Sequence, residues 1–430
     1  MGRAPRESVT PLIQQKVVWA GATLGSYQQA AEALEQLAGV KLAPKQVQRI
    51  TSQAGTDRVE ERRRLVEEHQ QLPLMTRVVA PAEMTPPDLA VVMMDGGRYQ
   101  RRDDFRERRS AAAGEQAVPT IPTPSSFRDG AGRKTHWRED KLGLVLSMKS
   151  ASHEQDPCPE FPDWLAAAPV IAELAQLAER DEKPTDTLSG RSDPAAPPSS
   201  PEPSADWPAL APKVLTREVI ASSEDSEAFG RQLEHKAWAT GAFGAARQAF
   251  VADGLAVNWT IHRKHFSQMT GILDLMHGLS YAWRAAAALD DQTAYRRYAT
   301  WIWQGEVPRV IDELCQHQQR IGSPDKALGA AAPCNRLHDA ITYYRNHQHL
   351  MNYPAYRRDG LPLTSSHVES AMKQINARVK GTEKFWDAEN AEAILQLRAD
   401  TLSDSKPLDA FWHRWQKRQS GANRYRTLAT

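Results

Sequence analysis

The sequence predicts a mixed α/β protein in which a strand-bearing core is flanked by helices. Short apolar runs that end in Asp-Gly, at residues 89–97 and 250–254, are typical of buried strands. Capped, apolar-periodic segments before residue 56 and after residue 225 are typical of helices. Residues 290–352 show no strand signal, which predicts an all-helical segment after the strands.

Length and composition limit the class of protein. The chain has 430 residues, of which 41% are hydrophobic, enough for one sizeable core or two to three smaller ones. No run of 18 apolar residues predicts a membrane span, and the N-terminus lacks the apolar segment of a secretory signal. Three cysteines without a CxxC pair suit a reducing compartment and argue against a disulfide scaffold or a cysteine zinc site.

Charge is unevenly distributed along the chain. The formal net charge is +1, but residues 151–210 hold twelve acids and three bases, a net charge of −9. The rest of the chain therefore carries +10. A moderately basic body with an acidic insert is compatible with a DNA partner.

The first 56 residues predict three helices. Ser26 is placed to cap a second helix that Gly39 closes, and Pro44 begins a third helix that Gly55 ends. Helix, short turn, helix is the helix-turn-helix pattern, in which the later helix lies in the DNA major groove. The candidate base readers are Lys45, Gln46, Gln48 and Arg49. The alternative is a small helical bundle that only packs.

The composition of the remaining chain divides it into several segments. Residues 57–87 predict an exposed charged helix and linker, whose mixed charges are typical of a solvated face or a dimer contact. Residues 110–132 predict a loop, and 183–212 a disordered Pro/Ser-rich insertion. The other predicted units are a first part of the core at 88–182, a second part at 213–289, a helical insertion at 290–358 and C-terminal helices at 359–430.

Three acids stand out by their setting. Asp95 and Asp253 each end a short strand before glycine, and Glu369 lies in the first turn of a late helix. Carboxylates on rigid elements can hold the Mg²⁺ ions that a two-metal nuclease needs. Each acid also has a structural explanation: Asp-Gly is a common turn, and Ser366 to Glu369 fits a capping box.

The helix around Glu369 has two distinct stripes. Val368, Met372, Ile375 and Val379 form an apolar core face at helical spacing. The neighbouring stripe places Lys373 and Lys380 along the same face as Glu369, which would suit a DNA backbone lying across it. The alternative is an ordinary Glu–Lys surface pair.

A further pair, Asp274 and His277, is predicted to open the helix that follows a short strand. The two side chains share a helix face and could touch a metal, a phosphate or each other. A capping aspartate with a hydrogen-bonded histidine is the more usual outcome.

Together these blocks resemble bacterial insertion-sequence transposases of the ISKra type and, more distantly, Mutator-like and ISL-type DDE enzymes. The resemblance rests on VVMMDGGR, HWREDKLGLVLSM, DPCPEFP, VADG, ILDLMHGLSYAW, AILQLRA and, most specifically, GLPLTSSHVESAMKQINARVKGTEKFW. It covers the chain from the helix-turn-helix to about residue 400. It implies an RNase H-like core with an all-helical insertion between the last strand and the glutamate helix.

The resemblance also implies an activity and its residues. Asp95, Asp253 and Glu369 would form a DDE triad that binds two Mg²⁺ ions, with Mn²⁺ as a possible substitute, and Asp274 and His277 an auxiliary motif. The implied partners are the DNA ends of the element and target DNA, bound by at least a dimer in the bacterial cytoplasm. Two alternatives stay open: a DNA-binding regulator derived from a transposase, and an RNase H-like nuclease without transposition.

Overall fold

The structure is a computed structural model that describes residues 9–102, 136–182, 210–381 and 383–419. It confirms a mixed α/β fold with a six-stranded sheet. The strands are β1 (Leu89–Arg101), β2 (Trp137–Lys149), β3 (Lys213–Ser222), β4 (Arg247–Ala252), β5 (Thr270–Leu273) and β6 (Phe385–Trp386).

Helices precede the strands, alternate with them and follow them along the chain. The helices before β5 are α1 (Pro11–Thr23), α2 (Tyr27–Ala38), α3 (Pro44–Gln70), α4 (Leu74–Arg77), α5 (Ala168–Glu182), α6 (Ser226–Ala239) and α7 (Ala256–His265). Those after β5 are α8 (Leu275–Ala288), α9 (Gln292–Trp303), α10 (Val307–Ile321), α11 (Pro333–His347), α12 (Tyr353–Arg358), α13 (Ser366–Val379), α14 (Ala388–Leu402) and α15 (Pro407–Gln419).

The N-terminal helices begin where the sequence predicts. The Ser26 hydroxyl accepts a hydrogen bond from the Gln29 amide at the start of α2. Gly39 ends that helix in the left-handed region with a φ of 63°. Pro44 begins α3, but the prediction that Gly55 ends it is wrong. A Cβ at Gly55 would lie 2.7 Å from Ala393 of α14. The glycine lies inside α3 and allows α14 to pack closely against it.

The second half of α3 is half-buried against α14, so its prediction as an exposed charged helix is wrong. Arg58 donates to Asp400 at 2.8 Å, and Arg62 donates to Glu392 at 2.8 Å. All four side chains are buried. The charges of this segment are therefore used within the chain, and its inner face is closed to a dimer partner.

The sheet has the order β3-β2-β1-β4-β5, and β6 pairs with the far end of β1. Strand β2 is antiparallel to both β1 and β3, whereas β4 is parallel to β1 and β5 is parallel to β4. Strands β3 and β6 were not predicted. The first half of β3 is exposed, which hides the apolar run that marks β1, and β6 is only two residues long.

Strand β1 does not end at Asp95. It continues through Gly96 and Gly97 to Arg101, paired with β2 throughout, so the predicted turn is wrong. A Cβ at Gly97 would lie 2.6 Å from the Met372 sulfur, so this glycine lets α13 approach the strand. The glycines here serve packing rather than a reversal of the chain.

Helices cover both faces of the sheet. Residues opposite each other in an antiparallel pair share a face, and successive residues alternate between faces. Leu233 and Phe229 of α6 lie where a Cβ at Gly143 would point, while Met372 of α13 lies over Gly97 on the other face. Asp95 shares the face of Gly97, so it points towards α13.

The segment between β5 and α13 is helical, as predicted for 290–358, with α9 to α12 following α8. None of the helices in the described ranges combines the length and hydrophobicity that crossing a bilayer requires. The predicted loop at 110–132 lies outside the described residues, as does the predicted disordered insertion up to residue 209.

Candidate active site

The three predicted acids lie near enough to one another for the charges of Asp253 and Glu369 to act on Asp95, close to the carboxyl end of β4. Met93 of β1 pairs with Val251 of β4, and Asp95 and Asp253 each lie two residues further along these parallel strands. Glu369 lies on α13, which packs on β1 from the face towards which Asp95 points. Two neighbouring strands and one covering helix therefore supply the three carboxylates.

The pKa of Asp95 depends on the other two acids. Burial raises the pKa of Asp95, and the negative charge of Asp253 and, more weakly, that of Glu369 raise it further, to about 7. The Gly96 amide, which donates to Asp95 Oδ1 at 2.7 Å, and the nearby His277 act in the opposite direction. Repulsion between carboxylates is the second-largest cause of the shift, so the site favours a cation or a proton.

Asp253 is held by its own loop. Its Oδ1 accepts hydrogen bonds from the Leu255 amide at 2.9 Å and from Asn258 Nδ2 at 2.7 Å, while its carbonyl accepts from Trp259 Nε1 at 2.8 Å. The bond to Leu255 is the local aspartate turn that the sequence offered as an alternative. The turn fixes the orientation of a carboxylate that also faces Asp95.

Glu369 does not form the predicted capping box. Helix α13 begins at Ser366 after Ser365, whose side chain makes no capping hydrogen bond, so Glu369 lies one position beyond the capping position. Burial and the charge of Asp274 raise the pKa of Glu369, against the opposing charges of His277 and Lys373. The apolar stripe from Val368 to Val379 is buried, as predicted.

Asp274 and His277 open α8 as a capping pair. Asp274 Oδ1 accepts from the His277 amide at 2.9 Å and lies 3.2 Å from His277 Nδ1. Asp274 Oδ2 accepts from the amide and hydroxyl of Ser365. Burial would raise the pKa of Asp274, but the hydrogen bonds and charge of His277, together with the Ser365 amide, lower it.

This pair also meets the glutamate. Ligand atoms of Asp274, His277 and Glu369 all lie within 4.8 Å of one another, the spacing of groups that can share a metal ion. Because both oxygens of Asp274 already accept hydrogen bonds and its side chain is 0% exposed, it is better suited to orient His277 than to bind an ion. His277 and Glu369 keep partial exposure.

Asp140 of β2 was missed by the sequence reasoning. It lies opposite Gly97, is 0% exposed, and neither carboxylate oxygen has a hydrogen-bond partner in another described residue. Burial, aided by the nearby charge of Asp95, raises the pKa of Asp140 to about 7. Nothing in the segment HWREDKLGLVLSM distinguishes Asp140 from the other charged residues there. Only the alternation of side chains along the strand places it on the same face of the sheet as Asp95.

The helical insertion also reaches the site. A Cβ at Gly254 would lie 2.5 Å from the ring of Tyr343 on α11. Tyr343 in turn stacks on Tyr281 of α8, with centroids 3.7 Å apart and planes at 10°. The glycine after Asp253 is therefore a close approach between the second acid and the insertion, which no local pattern indicates.

The predicted DNA-binding residues lie on two surfaces. Lys45 and Arg49 are exposed near the start of α3, while Gln46 Oε1 accepts from the Ala43 amide and so caps that helix. Gln48 is half-buried and accepts from Lys45 Nζ at 3.0 Å. The second surface is at α13, where Lys373 and Lys380 are both exposed. Lys380 follows the last residue of the helix with an extended backbone, so the prediction that it continues the helical stripe of Glu369 and Lys373 is wrong.

Comparison of the chain with protein-family models found no match, and comparison with curated proteins found none either.

Proposed function

We propose that the protein is a DDE transposase, which cuts DNA at the ends of an insertion sequence and joins them to target DNA. One observation carries the proposal: Asp95 and Asp253 lie at matching positions along adjacent parallel strands beside the helix that carries Glu369, and the charges of Asp253 and Glu369 raise the pKa of Asp95. An RNase H-like core is part of this proposal. The helical segment between β5 and α13 supports it, because the resemblance implies an insertion at that place.

The carboxylates fit divalent metal ions. Mg²⁺ prefers oxygen ligands, and a cation would relieve the repulsion that raises the pKa of Asp95. Asp95, Asp253 and Glu369 would hold two ions, with Mn²⁺ as a substitute. Bound Mg²⁺ would supply the activation of the attacking oxygen and the stabilisation of the leaving oxygen.

Other side chains would adjust the charge of the acid cluster and place the DNA relative to it. His277 lowers the pKa of both Asp95 and Glu369, so its charge acts directly on the acid cluster. The exposed Lys373 on α13 and Lys380 just after it would contact phosphates of a backbone that runs past Glu369. Lys45 and Arg49 at the start of α3 would contact DNA of the element's end.

The test is cleavage of DNA that carries the sequences flanking the coding region, with any short inverted repeats they contain. We expect Mg²⁺-dependent nicking at the repeat ends by the wild-type protein. Asp95→Asn, Asp253→Asn and Glu369→Gln should each abolish nicking and leave DNA binding, measured by fluorescence anisotropy, intact. Normal cleavage by any one of these variants would remove that acid from the proposed triad.

Two other outcomes separate the alternatives. Cleavage of arbitrary DNA with no preference for repeat ends would favour a nuclease without transposition. Specific binding to the ends without cleavage in Mg²⁺ or Mn²⁺ would favour a regulator. A strand-transfer assay, in which a precut end is joined to a plasmid, tests the second step separately.

A further inference from the structure

Ser365 occupies the position before α13 but does not cap that helix. A serine there usually accepts a hydrogen bond from an amide of the first turn, which stabilises the helix. The Ser365 hydroxyl instead donates to Asp274 Oδ2 at 2.8 Å, and the Ser365 amide donates to the same oxygen at 2.5 Å. The side chain is buried, with the residue only 4% exposed.

Asp274 thereby joins the starts of two helices. Its Oδ1 receives the His277 amide at the start of α8, while its Oδ2 receives both groups of Ser365 at the start of α13. A backbone hydrogen bond of 2.9 Å from the Leu275 amide to the Leu363 carbonyl runs beside this bridge. His277 and Glu369 each lie within one helical turn of it.

We propose that Ser365 is a positioning residue, which acts through Asp274 to hold the first turn of α13 so that Glu369 faces His277 and the strand acids. The catalytic part of this inference rests on the proposed function. Metal ligands must be held to about 0.5 Å for full activity, and residues that orient ligands therefore affect the site without touching the metal. The amides of Val368 and Glu369 both donate to the Ser365 carbonyl, so a displaced Ser365 displaces the turn that carries the glutamate.

The neighbouring serine provides a matched control. Ser366 is exposed, and its hydroxyl accepts a hydrogen bond of 3.5 Å from the Thr364 hydroxyl. Ser365→Ala removes the hydroxyl from Asp274, Ser365→Thr keeps it, and Ser366→Ala removes an equivalent hydroxyl outside the bridge. We would measure single-turnover cleavage of end DNA, Mn²⁺ affinity by titration calorimetry, and hydrogen exchange across the whole chain.

We expect Ser365→Ala to lower the cleavage rate and the Mn²⁺ affinity about ten- to a hundredfold with an unchanged Kd for DNA. Amides in the first turn of α13 should exchange faster, while those of α14 should not change. Ser365→Thr should restore the rate, and Ser366→Ala should leave all three measurements at wild-type values.

A Ser365→Ala protein that cleaves at the wild-type rate, or whose α13 amides exchange as before, would overturn the inference. Failure of the proposed function gives a different result. If the wild-type protein never cleaves DNA, the exchange experiment still decides whether Ser365 orders the first turn of α13.

Discussion

Replacing Asp95 by asparagine should make the protein more stable at alkaline pH while abolishing cleavage. Burial and the charge of Asp253 raise the pKa of Asp95 to about 7, whereas an aspartate in an unfolded chain titrates near 3.9. The folded protein thus binds this proton more tightly than the unfolded chain does. The associated stability is fully present below about pH 4 and is lost as the pH rises through about 7.

The size of the effect follows from the shift. The difference between a pKa near 3.9 in the unfolded chain and about 7 in the folded protein corresponds to about 4 kcal/mol of lost stability at pH 8. Asp95 is partly exposed, so solvent screening reduces this to roughly 2 kcal/mol. About half of that loss develops between pH 5 and pH 8, because part of the cost is already present at pH 5. Asparagine keeps an oxygen that can accept from the Gly96 amide but carries no charge.

Urea unfolding at pH 5 and pH 8 measures the effect. The free energy of unfolding of Asp95→Asn should exceed that of the wild type by about 1 kcal/mol more at pH 8 than at pH 5. Millimolar Mg²⁺ should shrink the difference, because a cation stabilises only the charged cluster. Glu60→Gln, which changes an exposed acid of α3, should show no pH-dependent difference. An advantage that is constant or falls with pH would refute the raised pKa of Asp95.

Three further substitutions, two of them with a matched control, test the packing and the DNA surface. Gly97→Ala should destabilise the protein by about 1–3 kcal/mol in urea unfolding, because an added Cβ would lie 2.6 Å from the Met372 sulfur. Its control, Gly96→Ala, should cost less than about 1 kcal/mol, because the nearest atom to its Cβ is 3.7 Å away. Arg62→Ala should cost about 3–5 kcal/mol because it removes the cation paired with the buried Glu392 carboxylate of α14. Arg64→Ala, with a side chain 57% exposed, should stay within about 0.5 kcal/mol; equal effects would refute the buried ion pair. Arg49→Ala should reduce the slope of log affinity against log salt by about one on end DNA, and an unchanged slope would remove Arg49 from the interface.

Local patterns in the sequence were sufficient for the elements that carry the acids. The apolar run before Asp95, the short strand before Asp253 and the stripe from Val368 to Val379 each depend on residues within one element. The structure confirms these elements and the strand that ends at Leu273 before α8, although β1 continues past Asp95 to Arg101. The sequence predicts only that acids at the ends of adjacent strands, with one from a packed helix, can converge on a metal site.

The features that the sequence did not predict depend on residues far apart in the chain. Helix α3 is half-buried because α14, more than 300 positions later, supplies Glu392 and Asp400 as partners for its arginines. Asp140 matters because of its register with Gly97, and Ser365 because of Asp274, 91 positions away. No local pattern encodes such a pairing, so the sequence predicts the charged part of α3 as exposed and assigns no role to Ser365.

The misread glycines explain why the site forms where it does. Gly55 and Gly97 were read as the end of a helix and as a turn, because glycine most often serves those roles. Both lie instead inside regular elements, where a second element approaches too closely for a Cβ. At Gly97 the second element is α13, and Met372 over that glycine is three residues from Glu369. The missing side chain on β1 therefore lets the helix lie low enough on the sheet for its glutamate to act on Asp95, two residues before Gly97.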